Sequence, residues 1–279
     1  MQFLQILQDK ILKCPVCGES LTLGENGKSL YCAGKKRHCF DIAAKGYVNL
    51  SPSHSGGGDS KEAIRSRSAF LEKGYYRPFA DKLCELLKEY VNEGIVIDAG
   101  CGEGYYTNLA AEKCGLTMLG FDLSKFGAEH GSGTARREGI TNSAFAVASI
   151  YEMPVSDGCA NGVINLFAPC AEEEFKRVLK DGGVLIVVGA GEDHLFGLKK
   201  AVYDEPYKND PRNDLPTSMK HIGSHKVRFE IELSSREDRM ALFAMTPYYY
   251  RTSRTDMEKL LNAEGLVTEV EFDIEVYKK

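Results

Sequence analysis

The twelve residues at 96–107, VIDAGCGEGYYT, limit the fold more than any other stretch of this chain. An apolar run at 95–97 meets Asp98, glycines follow at 100, 102 and 104, and a helix-forming segment begins at Tyr105. That succession predicts a buried strand, a tight turn and a helix start. Glycines let the backbone approach a ligand that a Cβ would push away. The pattern is D-x-G-x-G-x-G, with an acid before the first glycine and no extra spacer, unlike the G-x-G-x-x-G dinucleotide fingerprint. An acid at the strand end repels a pyrophosphate and suits a sulfonium or an ammonium. The stretch therefore favours S-adenosylmethionine (SAM) over NAD, with its neighbours left to decide.

The neighbours alternate strand and helix patterns. An apolar strand at 116–121 ends in Asp122, 24 residues after Asp98. In an open parallel sheet that acid lies at the carboxyl edge beside the glycine turn, where its expected role is to accept two ribose hydroxyls; the competing role is a simple helix cap. The helix after it carries Gly127, Gly131 and Gly133 and is expected to be short or irregular. Residues 143–148 give a third strand, and Ser149 with Met153 and Pro154 is expected to border adenine. A fourth strand at 162–167 is followed by Ala168-Pro169-Cys170, a helix at 172–179, a Lys-Asp-Gly-Gly turn and a fifth strand at 184–188. Residues 189–194, GAGEDH, return to the carboxyl edge. A helix at 195–203 precedes a stretch, 204–224, rich in Pro, Asp and Asn and expected to be irregular. Residues 226–233 and 266–277 alternate apolar and polar side chains and should pair as an antiparallel edge. Helices are expected at 235–245 and 255–263. Between them TPYYYR (246–251) either stacks on a nucleobase or packs a helix end. The set describes an α/β fold, a class I SAM-dependent methyltransferase (Rossmann-like) sheet.

Ahead of it, Cys14-Pro-Val-Cys17 is followed by Cys32, His38 and Cys39. A C-x-x-C turn and a second pair brought up by a short hairpin fit tetrahedral zinc. Either His38 or Cys39 closes the site. Reduced buried thiols or a redox pair are the alternatives, but no βαβ pattern precedes the motif. A segment of this size cannot bury enough core to fold alone, so the metal would be structural. The hairpin is expected at 20–23 and 29–31 around a Glu-Asn-Gly turn. Residues 40–50 pack this knuckle onto the rest of the chain, and SPSHSGGGDS (51–60) reads as a flexible linker. Helices are expected at 61–72, with a basic side bearing Arg65 and Arg67, and at 79–90. Tyr75 and Tyr76, between them, either pack the junction or reach the cofactor. The expected units are thus 1–52, a zinc-binding front domain; 53–94, linker and connecting helices; and 95–279, the methyltransferase domain.

No signal peptide is expected beside the nine cysteines, because Asp9 and Lys10 interrupt the apolar residues at 1–13 and no small-residue cleavage site follows. No apolar run reaches a membrane-spanning length. A cytoplasmic protein with thiols and metal ligands is the expectation. Residues 1–80 hold 12 Lys/Arg against 7 Asp/Glu, the remainder 23 against 33. A basic front on an acidic body hints at a polyanion partner.

The whole chain resembles the RlmA family of bacterial 23S rRNA guanine-N1-methyltransferases. The stretches that carry this are CPVC (14–17), HCFDIAAKGYVNL (38–50), RSAFLEKGYYRP (67–78), VIDAGCGEGYYT (96–107), FAPC (167–170) and MTP (245–247). The resemblance implies a zinc domain that recognises a domain II hairpin of 23S rRNA, transfer of a methyl group from SAM to N1 of one guanine, and a homodimer. It implies zinc at Cys14, Cys17, Cys32 and His38, although two more residues separate Cys32 from His38 than in the short family spacing. It implies SAM contacts at Tyr76, Gly102, Glu103 and His194. The chain's own pattern adds Asp98, Gly100, Gly104, Asp122 and Ser149. The target base is expected near the end of the fourth strand, with Phe167 to stack on it and Asn165 as a polar partner or a satisfied strand residue. Competing functions are methylation of a small molecule, disfavoured by the basic zinc front, and zinc-dependent RNA binding without catalysis, disfavoured by the intact glycine turn.

Overall fold

The structure, a computed structural model, describes residues 10–51 and 58–279. The first nine residues, most of the Ser/Gly stretch and the expected boundary at 52 lie outside the described residues.

The chain enters along the main body. Lys13 N–H donates to Pro154 O at 2.7 Å and Ser156 N–H to Ile11 O at 2.8 Å. It then forms a three-stranded antiparallel ribbon of β1 (Leu21–Leu23), β2 (Ser29–Cys32) and β3 (Cys39–Asp41). β4 (Val48–Asn49) leaves the ribbon and joins the edge of the large sheet. The Gly-Tyr-Val-Asn run therefore fastens ribbon to body through backbone hydrogen bonds.

Two helices come next, α1 (Lys61–Glu72) and α2 (Arg77–Tyr90). Ser60 caps the first, accepting from Ala63 N–H, and Pro78 sits in the first turn of the second, where a missing N–H costs nothing. β5 (Ile95–Ala99) is buried at all five positions, as a strand covered on both faces must be. Then come α3 (Tyr105–Cys114), β6 (Thr117–Asp122), α4 (Lys125–Glu138), β7 (Ser143–Val147), β8 (Ala160–Leu166), α5 (Glu172–Val178) and β9 (Leu179–Ala190). The chain ends with α6 (Phe196–Val202), β10 (Lys220–Leu233), α7 (Arg236–Ala244), a 3-10 turn at Tyr249–Arg251, α8 (Arg254–Asn262) and β11 (Leu266–Lys278).

The large sheet has the order β4-β7-β6-β5-β8-β9-β11-β10. Every pair from β4 to β9 is parallel; β11 is antiparallel to both its neighbours. The chain builds from β5 outward to β7, then crosses back to β8 on the other side. That reversal places a crevice at the carboxyl ends of β5 and β8, where ligands bind in sheets of this kind.

Two expectations need correction. α4 runs unbroken for 14 residues despite its glycines. Ser124 caps it by accepting from Gly127 N–H at 3.2 Å. A Cβ on Gly127 would strike the carbonyl oxygen of Gly102, and one on Gly131 would stand 2.7 Å from the Phe145 ring. The glycines are points of close approach, so packing overrides their poor propensity. β10 begins at Lys220 rather than 226, because residues 220–223 pair with the end of β11 across a bulge between His221 and Gly223.

Candidate active site and metal centre

Cys14, Cys17, Cys32 and His38 bring one ligand atom each to within 4.8 Å of one another. His38 Nδ1 stands 3.5 Å from both Cys14 Sγ and Cys32 Sγ, and Cys17 Sγ stands 3.8 Å from Cys32 Sγ. Tetrahedral zinc, with Zn–S about 2.3 Å and Zn–N about 2.0–2.1 Å, requires S···S near ~3.8 Å and S···N near ~3.5 Å. The four groups fit. His38 N–H also donates to Cys32 Sγ at 3.0 Å, which fixes the loop and supports a thiolate there. Cys39 points elsewhere, exposed, with its Sγ 4.0 Å from Asp41 Oδ1. His38, and not Cys39, completes the cluster of four.

At the crevice, Gly100, Gly102 and Gly104 all hold positive φ, at 91°, 53° and 79°. A Cβ on Gly100 would stand 2.6 Å from the Ala168 Cβ, so the turn needs bare backbone there. Asp122 accepts from Gly102 N–H at 2.9 Å and from Ser124 N–H at 2.7 Å, which ties the ends of β5 and β6 together. Asp98 is buried; Thr107 donates to its Oδ2 at 2.6 Å, while Oδ1 is buried with no hydrogen-bond partner among the described residues. Burial raises its pKa to about 7, with Asp122 and Glu103 adding to the rise and Thr107 opposing it. Burial likewise raises Glu103 and Asp122, countered by Arg67 at the first and by backbone N–H groups at the second. An orphaned buried carboxylate oxygen among three acids is a place for a cationic ligand. The sulfonium and ammonium of SAM meet that requirement.

Tyr76 is buried, edge-on to Phe272 (5.3 Å between centroids) and to His194 (6.4 Å). His194 lies 4.7 Å from Phe272 and accepts from Glu271 N–H at Nδ1, 3.3 Å. Accepting there leaves its proton on Nε2 as a donor. Desolvation holds its pKa down to about 3, so the ring stays neutral. Tyr75 instead packs the helix junction, stacked on Phe70 and donating to Asp238 Oδ2 at 2.8 Å. Ser149 is half-buried just past β7, its Oγ accepting from Tyr151 N–H at 3.2 Å. Of Met153 and Pro154, expected beside adenine, the first has its carbonyl held by Arg177 of α5 and the second by Lys13 N–H, from the segment that leads into the ribbon. In TPYYYR, Tyr248 and Tyr249 pack on Phe243 at 6.0 and 5.5 Å, the helix-end packing rather than an open stack.

On the acceptor side, Phe167 follows β8 with φ 56° and is 47% exposed. Its ring lies 4.8 Å from Phe272, which also touches Tyr76 and His194. Asn165 is enclosed: its amide donates to Ala99 O at 3.1 Å and Pro169 O at 3.2 Å, and its oxygen accepts from Arg212. That is the satisfied strand residue rather than a group presented to a base. Two arginines are not foreseen from the sequence. Arg212, in the expected irregular stretch, also donates to Val188 O (2.9 Å) and Ala168 O (2.7 Å) and pairs with Asp214. Its partners are mostly carbonyls, which leave no pattern in a sequence. Arg67 reaches the glycine turn from α1, pairing with Glu103 and Asp59. The sequence marks it only as part of the basic side of that helix and as the first residue of the 67–78 stretch, neither of which places it at the turn.

A glycine turn at the switch point, acids at the carboxyl ends of β5 and β6 and a cysteine-histidine ribbon in front define a zinc-ribbon class I methyltransferase. Residues 91–240 match the family described as "Methyltransferase domain", and residues 12–56 match the N-terminal zinc ribbon of RlmA. A 23S rRNA (guanine(748)-N(1))-methyltransferase from Streptomyces fradiae is 32% identical over 203 residues, 69% of this chain and 68% of that one. YxjB of Bacillus subtilis, named for the same kind of activity, is 27% identical over 279 residues, 95% of each chain. A third relative, from Micromonospora griseorubida, is 29% identical across 86% of this chain and 87% of its own. The chain belongs to the RlmA family of SAM-dependent methyltransferases.

Proposed function

We propose that this enzyme transfers a methyl group from SAM to N1 of a guanine in a domain II hairpin of 23S rRNA. One observation carries the reading: the RlmA zinc ribbon and the acid-lined glycine turn stand on one chain, fused through β4. When bound, SAM supplies an electrophilic methyl group on a sulfonium. The protein's task is to hold acceptor and donor in line. Asp98, Glu103 and the 100–104 turn would receive the methionyl end, Asp122 the ribose, and Ser149 the adenine side. Tyr76 and neutral His194 would wall the cofactor, with His194 Nε2–H donating to it. Phe167, exposed at the same edge, would stack on the extruded guanine, and Asn165 would brace its turn. The zinc-binding front domain, expected at 1–52 with zinc on its four ligands, would present the RNA, and a homodimer acting in the cytoplasm completes the reading. Among the described residues no helix is long and apolar enough to cross a membrane.

The test is to incubate the protein with SAM and a 23S rRNA transcript and map the product by primer extension. A methyl at N1 blocks base pairing, so the expected result is one SAM-dependent stop at a guanine of the hairpin. Methylation of a metabolite with the RNA untouched would overturn the proposal.

A further inference from the structure

SAM brings three charges to its site: a sulfonium, an ammonium and a carboxylate. The acids at the turn answer the two cations and leave the anion without a partner. Asp98, Glu103 and Asp122 are all carboxylates. Among the described residues, Arg67 is the one Lys or Arg in an ion pair with any of them, its Nη1 3.3 Å from Glu103 Oε2. The guanidinium rests on the turn itself: a Cβ on Gly102 would stand 2.9 Å from Nη1. Glu103, with 4% of its side chain exposed, holds one nitrogen, and Asp59 holds the other. The Arg67 side chain keeps 25% exposure. A guanidinium has five N–H donors, and the contacts with these two acids take one from each terminal nitrogen. Donors remain, in the planar fork that suits a second carboxylate. Burial works against its charge, yet Glu103 and Asp59 more than restore it.

We propose that Arg67 is the counterion of the methionyl carboxylate of SAM, aimed by Glu103 and Asp59 across Gly102. The proposal rests on the SAM-dependent reading of the site and adds a residue that the strand–turn–helix pattern does not contain.

The test is a pair of ligands differing in that carboxylate alone: S-adenosylhomocysteine and its decarboxylated analogue, S-adenosyl-3-thiopropylamine. Dissociation constants are measured by calorimetry for the wild type, Arg67→Gln and Arg67→Lys. The expected result is that Arg67→Gln weakens S-adenosylhomocysteine tenfold or more and leaves the analogue within about twofold. Arg67→Lys should recover part of the loss, having the charge without the fork. An equal loss for both ligands would overturn the proposal, since Arg67 would then act through the fold or the ribose. No loss for either ligand would overturn it too, including the case in which only RNA binding falls. Should Arg67→Gln not fold, the same contrast is read from Arg67→Lys. Failure of the wild type to bind S-adenosylhomocysteine at all would sink the methyltransferase reading itself, a distinguishable result.

Discussion

Asp98 trades stability for binding. Its carboxyl holds a proton up to about pH 7 in the folded protein, against an ordinary value of 3.8. Between those values the folded state binds more proton than the unfolded chain, so stability falls as pH rises from about 4 to 7. The full penalty, on the order of 4 kcal/mol at most, is present above pH 7. A cation beside the orphaned Oδ1 relieves it, and SAM affinity should therefore rise with pH from 5 to 8. Asp98→Asn removes the ionisation while keeping an acceptor for Thr107. The ligand-free variant should resist urea better than the wild type at pH 8, with the gap closing toward pH 4, and should bind SAM at least tenfold more weakly. Equal stability of the two proteins at pH 8 would mean that the buried charge costs nothing. Asp98 and Asp122 are readable in the sequence because their meaning is local: each closes an apolar strand beside the glycine turn. Arg67 is not, because it joins that turn from a helix 35 residues upstream.

The element that carries the acceptor side is the turn after β8. Its Phe167 occupies the left-handed region, which costs a residue with a Cβ roughly 1–2 kcal/mol. Arg212 and Asn165 hold the backbone there against that strain, through Ala168 O, Val188 O, Ala99 O and Pro169 O. Phe167→Gly and Phe167→Ala both delete the ring, and each should raise the KM for RNA about tenfold, the order of one lost base stack. Only glycine also releases the backbone. Phe167→Gly should therefore be the more stable of the two by about 1 kcal/mol in urea unfolding, against the usual preference for alanine. Arg212→Met leaves Asn165 Oδ1 unpaired in the interior and should cost about 2–3 kcal/mol. It should reduce methylation while SAM affinity stays within about twofold. Elements are legible where apolar periodicity governs them, as at β5 and in the 226–233 part of β10. They are not where partners far along the chain decide. α4 keeps its glycines because Gly102 and Phe145 press against them, and residues 220–223 become strand because the end of β11 lies alongside.

At the scale of the whole molecule, ribbon and body share one interior. Leu12, Leu21 and Leu30 lie in the same apolar cluster as Ala146, Val155 and Leu185. Leu12 bridges to Val155, and β4 is a strand of the large sheet. The metal therefore supports more than its four ligands. Zinc sites in small units contribute directly to folding, and the ribbon alone lacks the core to do without one. Removing the ion should loosen the ribbon and strip its cover from the β7 edge, so the loss must be felt by the body. Thermal unfolding followed by calorimetry should give one transition both with and without a strong chelator, with the midpoint several degrees lower in chelator and one zinc released per chain. Cys17→Ser should reproduce that shift without chelator and leave added zinc unable to reverse it. Two separate transitions, with the later one unmoved by chelation, would show that the ribbon folds as a unit of its own and that the shared cluster couples nothing.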